Sequence, residues 1–361
     1  MSKLDTSPYK GVRDFYPEDQ FIQSYIFDTW RKSVENFGYE EYEASVLEPS
    51  EIYKEKSGEE IVNEQTFTFK DRGGREVTLR PEMTPTVARM VAARRRQLGF
   101  PLRWYSIPNL FRYEATQRGR LREHWQLNVD LFGVSGYEAD VELIVLADKI
   151  LKKFGAKEND YEIRLNATGA ITLEMLGDFI EKELKPRGVA NALIDEKLAR
   201  GQAYYNGIVF EFFDTNPQNP RSILGGGRYD NLTELFGESN IPVVGFGAGD
   251  VTIKDFLETH KLLPIYNPKT EIYVIPAPES EKSIEEISSI VESIRNSNVN
   301  VAIDWSYKTI GDQKKNALKL KIPFLLVIRE NHIRSGIFEI ENLITGVKKE
   351  VSLEEIPGCV K

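Results

Sequence analysis

The densest run of reactive side-chain types is LFRYEATQRGRLREHWQLNVDLFG, residues 110–133. Successive residues of an extended chain point to opposite faces, so Gln126, Asn128 and Asp130 share one face, and Trp125, Leu127, Val129 and Leu131 the other. By the same rule Arg112 and Glu114 share a face of the preceding run. If the two runs pair as an antiparallel hairpin, these five polar side chains converge above one sheet. A solvated face would alternate in the same way, and periodicity alone leaves both readings open. As a ligand floor, the set has a definite chemistry. Arg112 offers a fixed fork of donors suited to phosphate or carboxylate. Glu114, with Glu82 upstream, accepts from an ammonium group, a sugar hydroxyl or Mg²⁺. Asp130 with Gln126 can fix a small ring carrying an N–H donor. Arg118, Arg120 and Arg122, on the connecting segment, are placed to meet pyrophosphate oxygens or nucleic-acid phosphates. This inventory suits a nucleotide plus an amino acid better than a metal hydrolase or a Ser/His nucleophile. Neither a G-x-x-x-x-G-K-S/T loop nor a helix-opening G-x-G-x-x-G occurs.

Periodicity and glycine punctuation give the elements that must carry these residues. Helical spacing over 19–37 ends at Gly38, and β-like runs follow at 66–71 and 75–81. The stretch from Thr84 has helical spacing up to Gly99, two β-like runs flank the basic segment 115–122, and a further helix ends at Gly155. GQAYYNGIVFEFF alternates like a strand, and SILGGGRYDNLTELFG reads as strand, glycine turn, helix. KLLPIYNPKT, with two prolines, reads as a linker. Beyond it, EIYVIPA, VNVAID and IPFLLVI read as strands alternating with helices, which implies a small α/β module with largely parallel pairing. The expected organisation is an α+β domain on a mostly antiparallel sheet over residues 1–262, a linker at 263–270, and an α/β domain over 271–361.

The 361 residues are 41% apolar and 29% charged, enough apolar material for two cores. No segment approaches the roughly 20 apolar residues of a membrane helix, and the N-terminal stretch has no apolar run resembling a signal peptide. One cysteine, Cys359, excludes an internal disulfide, and with three histidines no metal site is expected. A cytoplasmic protein fits these features. A net charge of −9 argues against nonspecific coating of nucleic acid, but leaves room for a specific RNA partner on a local basic face. Candidates are Arg94–Arg96, the 118/120/122 arginines, and Lys314, Lys315, Lys319 and Lys321. Any one of these runs could equally be a solvated helix face.

The segment 110–133 resembles the second signature motif of class II aminoacyl-tRNA synthetases in its histidyl form, with its FR-x-E opening and Gln/acid pair on the return strand. LRPEMTPTVAR resembles the family's RPE-x-T strand, LARGQAYYNGIVFEF its histidine-specific RG-x-x-YY-x-G segment, and GGGRYDNL its GGRYD segment. KGVRDFYPED matches G-x-x-D-x-x-P, and the C-terminal module is similar to the anticodon-binding domain. The resemblance covers essentially the whole chain. It implies a class II catalytic domain followed by an anticodon-binding domain, and an enzyme that charges tRNA(His) with L-histidine using ATP and Mg²⁺ as a homodimer. By position, Glu82 and Thr84 would hold the histidine α-ammonium end, and Gln126, Asp130, Tyr204 and Tyr205 would read the imidazole. Arg112 would bind the α-phosphate and the substrate carboxylate. Arg200 would stabilise charge developing at the α-phosphate, and Glu114 and Arg120 would contact ATP. Arg118, Arg120 and Arg122 would approach the tRNA acceptor end, and Lys314, Lys315 and Lys319 would line the anticodon surface.

Several positions depart from the family pattern. Thr252 stands where an ATP-binding arginine is customary, with Asp250 adding negative charge nearby; motif 2 loop arginines or Arg228 would have to compensate. Ala203 replaces a customary aspartate, and Ser45 sits near the place of the proline typical of the dimer-forming motif. The stretch from Gly133 to Arg200 is too short for the usual helical insertion domain. These departures fit either a compact synthetase or a non-catalytic paralogue that binds histidine or tRNA. Retention of Glu82, Arg112, Gln126, Asp130 and Arg200 together favours the enzyme.

Overall fold

Pro17 sets the start of the first helix, α1 (Pro17–Glu35): its ring fixes φ, and its missing N–H is one the first turn leaves unpaired. Ile26, Trp30 and Val34 recur every four residues and form the buried stripe of this helix. The computed structural model describes residues 4–54, 65–169, 171–198, 205–277, 283–306 and 308–360. The chain divides into two compact units, Met1–Pro264 and Ile265–Lys361.

In the first unit α1 is followed by β1 (Glu40–Glu41), β2 (Leu47–Pro49), α2 (Glu51–Lys54), β3 (Phe67–Lys70), β4 (Glu76–Leu79) and α3 (Thr84–Arg94). Then come β5 (Leu102–Ser106), β6 (Asn109–Phe111), β7 (Glu123–Phe132), α4 (Glu138–Lys153), β8 (Tyr161–Ala167), α5 (Leu173–Phe179) and β9 (Ala192–Ile194). The unit closes with β10 (Ile208–Asp214), β11 (Ser222–Arg228), β12 (Val243–Gly249) and α6 (Asp250–Thr259). The large sheet has the order β1-β5-β7-β12-β11-β10-β8-β9, with β6 hydrogen-bonded to β7. Pairing is antiparallel from β5 through β8 and parallel at the two edges, so the mostly antiparallel sheet read from the sequence is present. Leu127, Val129 and Leu131 of β7 pack into one core with Trp30 and Val34 of α1 and Leu143, Ile144 and Ile150 of α4. Ile163, Leu165, Leu176, Phe179 and Leu184 join the same core. The short stretch after β7 therefore completes the first unit itself, and the described residues there form no additional domain.

The glycines of SILGGGRYD correct the expectation of a turn: Gly225, Gly226 and Gly227 lie inside β11. Register explains why the chain needs them. Asp130 pairs with Gly245 and Asn128 with Gly247 across β7 and β12, and those glycines pair with Gly227 and Gly225 across β11. Paired residues of antiparallel strands project from the same face, so the polar face of β7 continues sideways into strands that carry no side chain. A Cβ on Gly247 would lie 2.8 Å from Gln126 Nε2, and one on Gly227 would lie 2.9 Å from the Tyr205 ring. The result is a trough above the sheet, floored by Gln126, Asn128 and Asp130.

The second unit contains β13 (Ile272–Pro276), α7 (Ile284–Arg295), β14 (Val301–Ile303), α8 (Ile310–Lys319), β15 (Phe324–Ile328), α9 (Glu330–Ser335), β16 (Ile337–Asn342), β17 (Lys348–Ser352) and α10 (Ile356–Val360). Strands β14-β13-β15 are parallel, and β16 and β17 extend the sheet antiparallel, a hairpin outside the expectation of largely parallel pairing. Ile287, Val291 and Ile294 of α7 cover one face with Ile272, Val274 and Leu326, while Ala317 of α8 packs on the other with Tyr273 and Ile275.

Candidate active site

The hairpin that alternation allowed is formed: Asn109, Leu110 and Phe111 of β6 pair with Trp125, His124 and Glu123 of β7, and the Arg112 amide donates to the Arg122 carbonyl. Arg112 and Glu114 therefore stand beside Gln126, Asn128 and Asp130 on the trough side of the sheet, and the solvated-face alternative falls away. Two hollows result. The smaller, about 90 Å³, is lined by Glu82, Thr84, Arg112, Gln126, Asn128, Asp130, Tyr205 and Tyr229 with glycines of β11 and β12. The larger, about 340 Å³, is lined by Arg112, Glu114, Arg120, His124, Gln126, Glu211, Arg221 and Thr252. Arg112, Gln126, Gly225 and Gly247 belong to both.

Asp130 lies at the floor of the smaller hollow. It is 4% exposed, and burial pushes its carboxyl up to about 7, opposed by a hydrogen bond from the Tyr229 hydroxyl to Oδ1. Its other oxygen, Oδ2, is buried without a hydrogen-bond partner among the described residues. Buried acceptors are normally satisfied, so this oxygen is an open acceptor for an N–H donor from a ligand. Tyr205 and Tyr229 meet edge to face, 6.4 Å between ring centroids, and supply an apolar wall beside it. Glu82 is buried just before α3, and the Arg112 Nε donates to the Pro81 carbonyl at 2.9 Å, which ties the arginine to the segment carrying that carboxylate.

In the larger hollow Arg120 pairs with Glu114. Burial, with the charges of Arg112 and Arg13 adding, pushes His124 down to about 3, so it is a neutral wall residue. Thr252 turns its hydroxyl back to the Ile223 and Gly249 carbonyls. Asp250, an unwelcome negative charge on sequence alone, is buried and accepts from Arg13 Nη2 at 2.7 Å and from the Trp125 amide at 3.0 Å. A residue of the N-terminal KGVRDFYPED segment thus neutralises it, a pairing that no local pattern announces.

Two expected ligand contacts are corrected. Arg228 follows Gly227, and strand alternation sends it to the opposite face, where it is buried against the Val134 and Gly136 carbonyls and Asp140. It lines neither hollow and is a structural brace instead of an ATP contact. Arg122 is 9% exposed, donates to the Glu114 carbonyl and the Tyr9 hydroxyl, and lies 3.9 Å from the Tyr113 ring centroid. It is a bracket under the loop and presents no free guanidinium to tRNA. Arg118 is exposed, with its Nε donating to Asn219 Oδ1 at 2.8 Å. In the second unit Lys314 pairs with Glu341, whereas Lys315, which lies 3.6 Å from the exposed Asp312, and Lys319, four residues on, share the outer face of α8. Arg200, Ala203 and Tyr204 lie outside the described residues.

A histidyl-tRNA synthetase family model matches residues 11–171 and 168–250, and an anticodon-binding-domain model matches 271–361. The chain belongs to the histidyl-tRNA synthetase family. The histidine–tRNA ligase of Leptospira biflexa is 35% identical over an alignment of 431 residues covering 99% of this chain and 98% of the relative. That alignment is longer than the 361 residues of this chain, so the relative carries segments that are missing here, as expected of a compact member. The histidine–tRNA ligase of Thermoplasma volcanium is 34% identical, covering 96% of each chain. Among solved structures, the S. aureus histidyl-tRNA synthetase superposes with a TM-score of 0.84 at 22% identity, covering 100% of both chains, which shows the shared fold. Among the described residues no helix is long and apolar enough to cross a membrane.

Proposed function

We propose that this chain activates L-histidine with ATP and transfers the histidyl group to tRNA(His). The observation that carries the reading is the junction of the two hollows at Arg112: a small, carboxylate-floored pocket opens through one guanidinium into a larger, arginine-lined one. The imidazole lies in the trough with its N–H on the orphaned Oδ2 of Asp130, Gln126 beside it, and Glu82 and Thr84 at the α-ammonium group. The histidine carboxylate attacks the α-phosphorus, a P–O bond to the carboxylate forms, and pyrophosphate leaves; the terminal ribose hydroxyl of tRNA then attacks the acyl carbon and releases AMP. Both steps depend on positioning and charge stabilisation, and neither needs a protein nucleophile. Glu114 and Glu211 would supply carboxylate oxygens on the nucleotide side for the Mg²⁺ that accompanies ATP. Arg200 and Tyr204 keep the roles that the resemblance implies, and a homodimer acting in the cytoplasm with no membrane attachment belongs to the same reading.

Histidine-dependent exchange of labelled pyrophosphate into ATP, with Mg²⁺ and without tRNA, tests it. Exchange with histidine and with no other amino acid is expected. A folded chain that binds tRNA but gives no exchange would be a regulatory or binding paralogue. For tRNA, Arg118 on the motif 2 loop and Lys315 with Lys319 on α8 are the proposed phosphate contacts. Reversing both lysines to glutamate should lower kcat/KM for tRNA by about tenfold or more at physiological salt and flatten its salt dependence, with pyrophosphate exchange unchanged. Unaltered aminoacylation would remove α8 from the tRNA surface.

A further inference from the structure

The larger hollow must hold a polyanion if it holds ATP, yet most of its cationic groups are already committed. Arg120 is paired with Glu114, His124 is neutral, and Arg112 sits at the junction with the smaller hollow. Arg221, immediately before β11, lines the larger hollow and makes no hydrogen bond or ion pair among the described residues. A guanidinium stays protonated throughout the physiological range, so one that lines a hollow with no partner among the described residues is available to an anionic ligand there. Its place in the hollow identifies which part of the ligand it meets. A Cβ on Gly119 would lie 3.1 Å from Arg221 Cδ and 3.4 Å from Thr252 Cγ2, so the arginine stem and the threonine pack under the same glycine of the motif 2 loop. Neither Gly119 nor Thr252 lines the smaller hollow; this is the end away from the reacting carboxylate.

We propose that Arg221 binds the β,γ-phosphate end of ATP, supplying from the start of β11 the cation that Thr252 cannot. Thr252 is unable to serve because its hydroxyl donates to backbone carbonyls, and Asp250 does not oppose a polyanion because Arg13 neutralises it. The chain thus places the guanidinium on a neighbouring strand instead of on the helix that follows β12. The assignment rests on the synthetase reading, and the two can fail separately: absence of ATP binding by the unaltered chain would defeat the reading itself.

Calorimetric titration of the full chain with ATP, AMP and histidine tests the assignment in Arg221→Met and Arg221→Gln. Loss of one charge-assisted contact should weaken ATP by roughly 10- to 100-fold in both variants. AMP, which has no β,γ-phosphates, and histidine, whose affinity also reports that the fold around Arg112 is intact, should change by less than about threefold. Adding Thr252→Arg to Arg221→Met should recover most of the preference for ATP over AMP, because it returns a guanidinium to the same patch under Gly119. Equal weakening of ATP and AMP, or unchanged ATP affinity in both single variants, would overturn the assignment.

Discussion

Arg112→Ala lowers the kcat of histidine-dependent pyrophosphate exchange by about three orders of magnitude, the largest single-residue effect expected on activation. Among the described residues Arg112 is the only charged side chain that lines both hollows. In the proposed reading it would meet two anionic groups whose approach is the reaction: the histidine carboxylate and the α-phosphate. Placing a fixed cation between them offsets their repulsion, and the charge it sees grows as the pentacoordinate phosphorus forms, so the loss falls on kcat more than on either KM. Arg112→Lys should recover only a small part. The Arg112 Nε is held by the Pro81 carbonyl, which fixes the plane of the fork; an ammonium group can keep the charge but cannot hold that anchor and bridge two oxygens from a defined plane. A moderate rise in histidine KM is expected as well, because the Pro81 contact also positions the segment carrying Glu82. Steady-state exchange kinetics with each substrate varied in turn decide the matter. A kcat retained within tenfold would show that the charge at the junction is supplied elsewhere.

Much of this site is legible in the sequence because it lies on one strand. The alternation of Gln126, Asn128 and Asp130 against Leu127, Val129 and Leu131 determines both the floor and the core face from a single stretch, and the hairpin brings Arg112 and Glu114 alongside from a neighbouring one. What local pattern cannot supply is room above the floor. That comes from glycines at alternate positions, Gly225 and Gly227 on β11 and Gly245, Gly247 and Gly249 on β12. Three consecutive glycines look like a turn; the period-two run GFGAG farther on is the signal that both segments are strands stripped of side chains on one face. Arginines are hard to read for a related reason. Residue type says that a guanidinium will find an acceptor, but only the fold says whether that acceptor is a phosphate. Arg122 and Arg228 find backbone carbonyls and aromatic or carboxylate neighbours, while Arg221, in no recognised motif, is left for the ligand. Arg13 and Asp250, 237 positions apart, pair only because β7 brings the N-terminal segment and α6 together.

Asp130→Asn should show most directly that the floor of the smaller hollow is kept for function at the expense of stability. The asparagine carbonyl can still accept from the Tyr229 hydroxyl, but the second oxygen becomes an NH₂ group that repels an incoming ring N–H. Histidine KM should rise by about 100-fold, the cost of one buried charge-assisted hydrogen bond plus an unmatched donor, while ATP KM stays within about threefold. Equal effects on both substrates would sink the imidazole-reading role. The stability effect has the opposite sign. An unfolded aspartate titrates near 3.9, whereas burial raises Asp130 to about 7 in the folded chain. Between these values the native state holds the extra proton, so its stability falls as pH rises through that window and levels off above it. Each unit of displacement corresponds to about 1.4 kcal/mol, so the ionised carboxylate destabilises the fold at pH 8 by an amount on the order of a few kcal/mol. Asparagine carries no such charge. The variant should therefore melt several degrees above the parent at pH 8 and close to it at pH 4, in thermal unfolding followed by circular dichroism. A lower melting temperature at pH 8 would mean that Asp130 is stabilised in its charged form by the protein itself, and that its free oxygen is not held in reserve for the substrate ring.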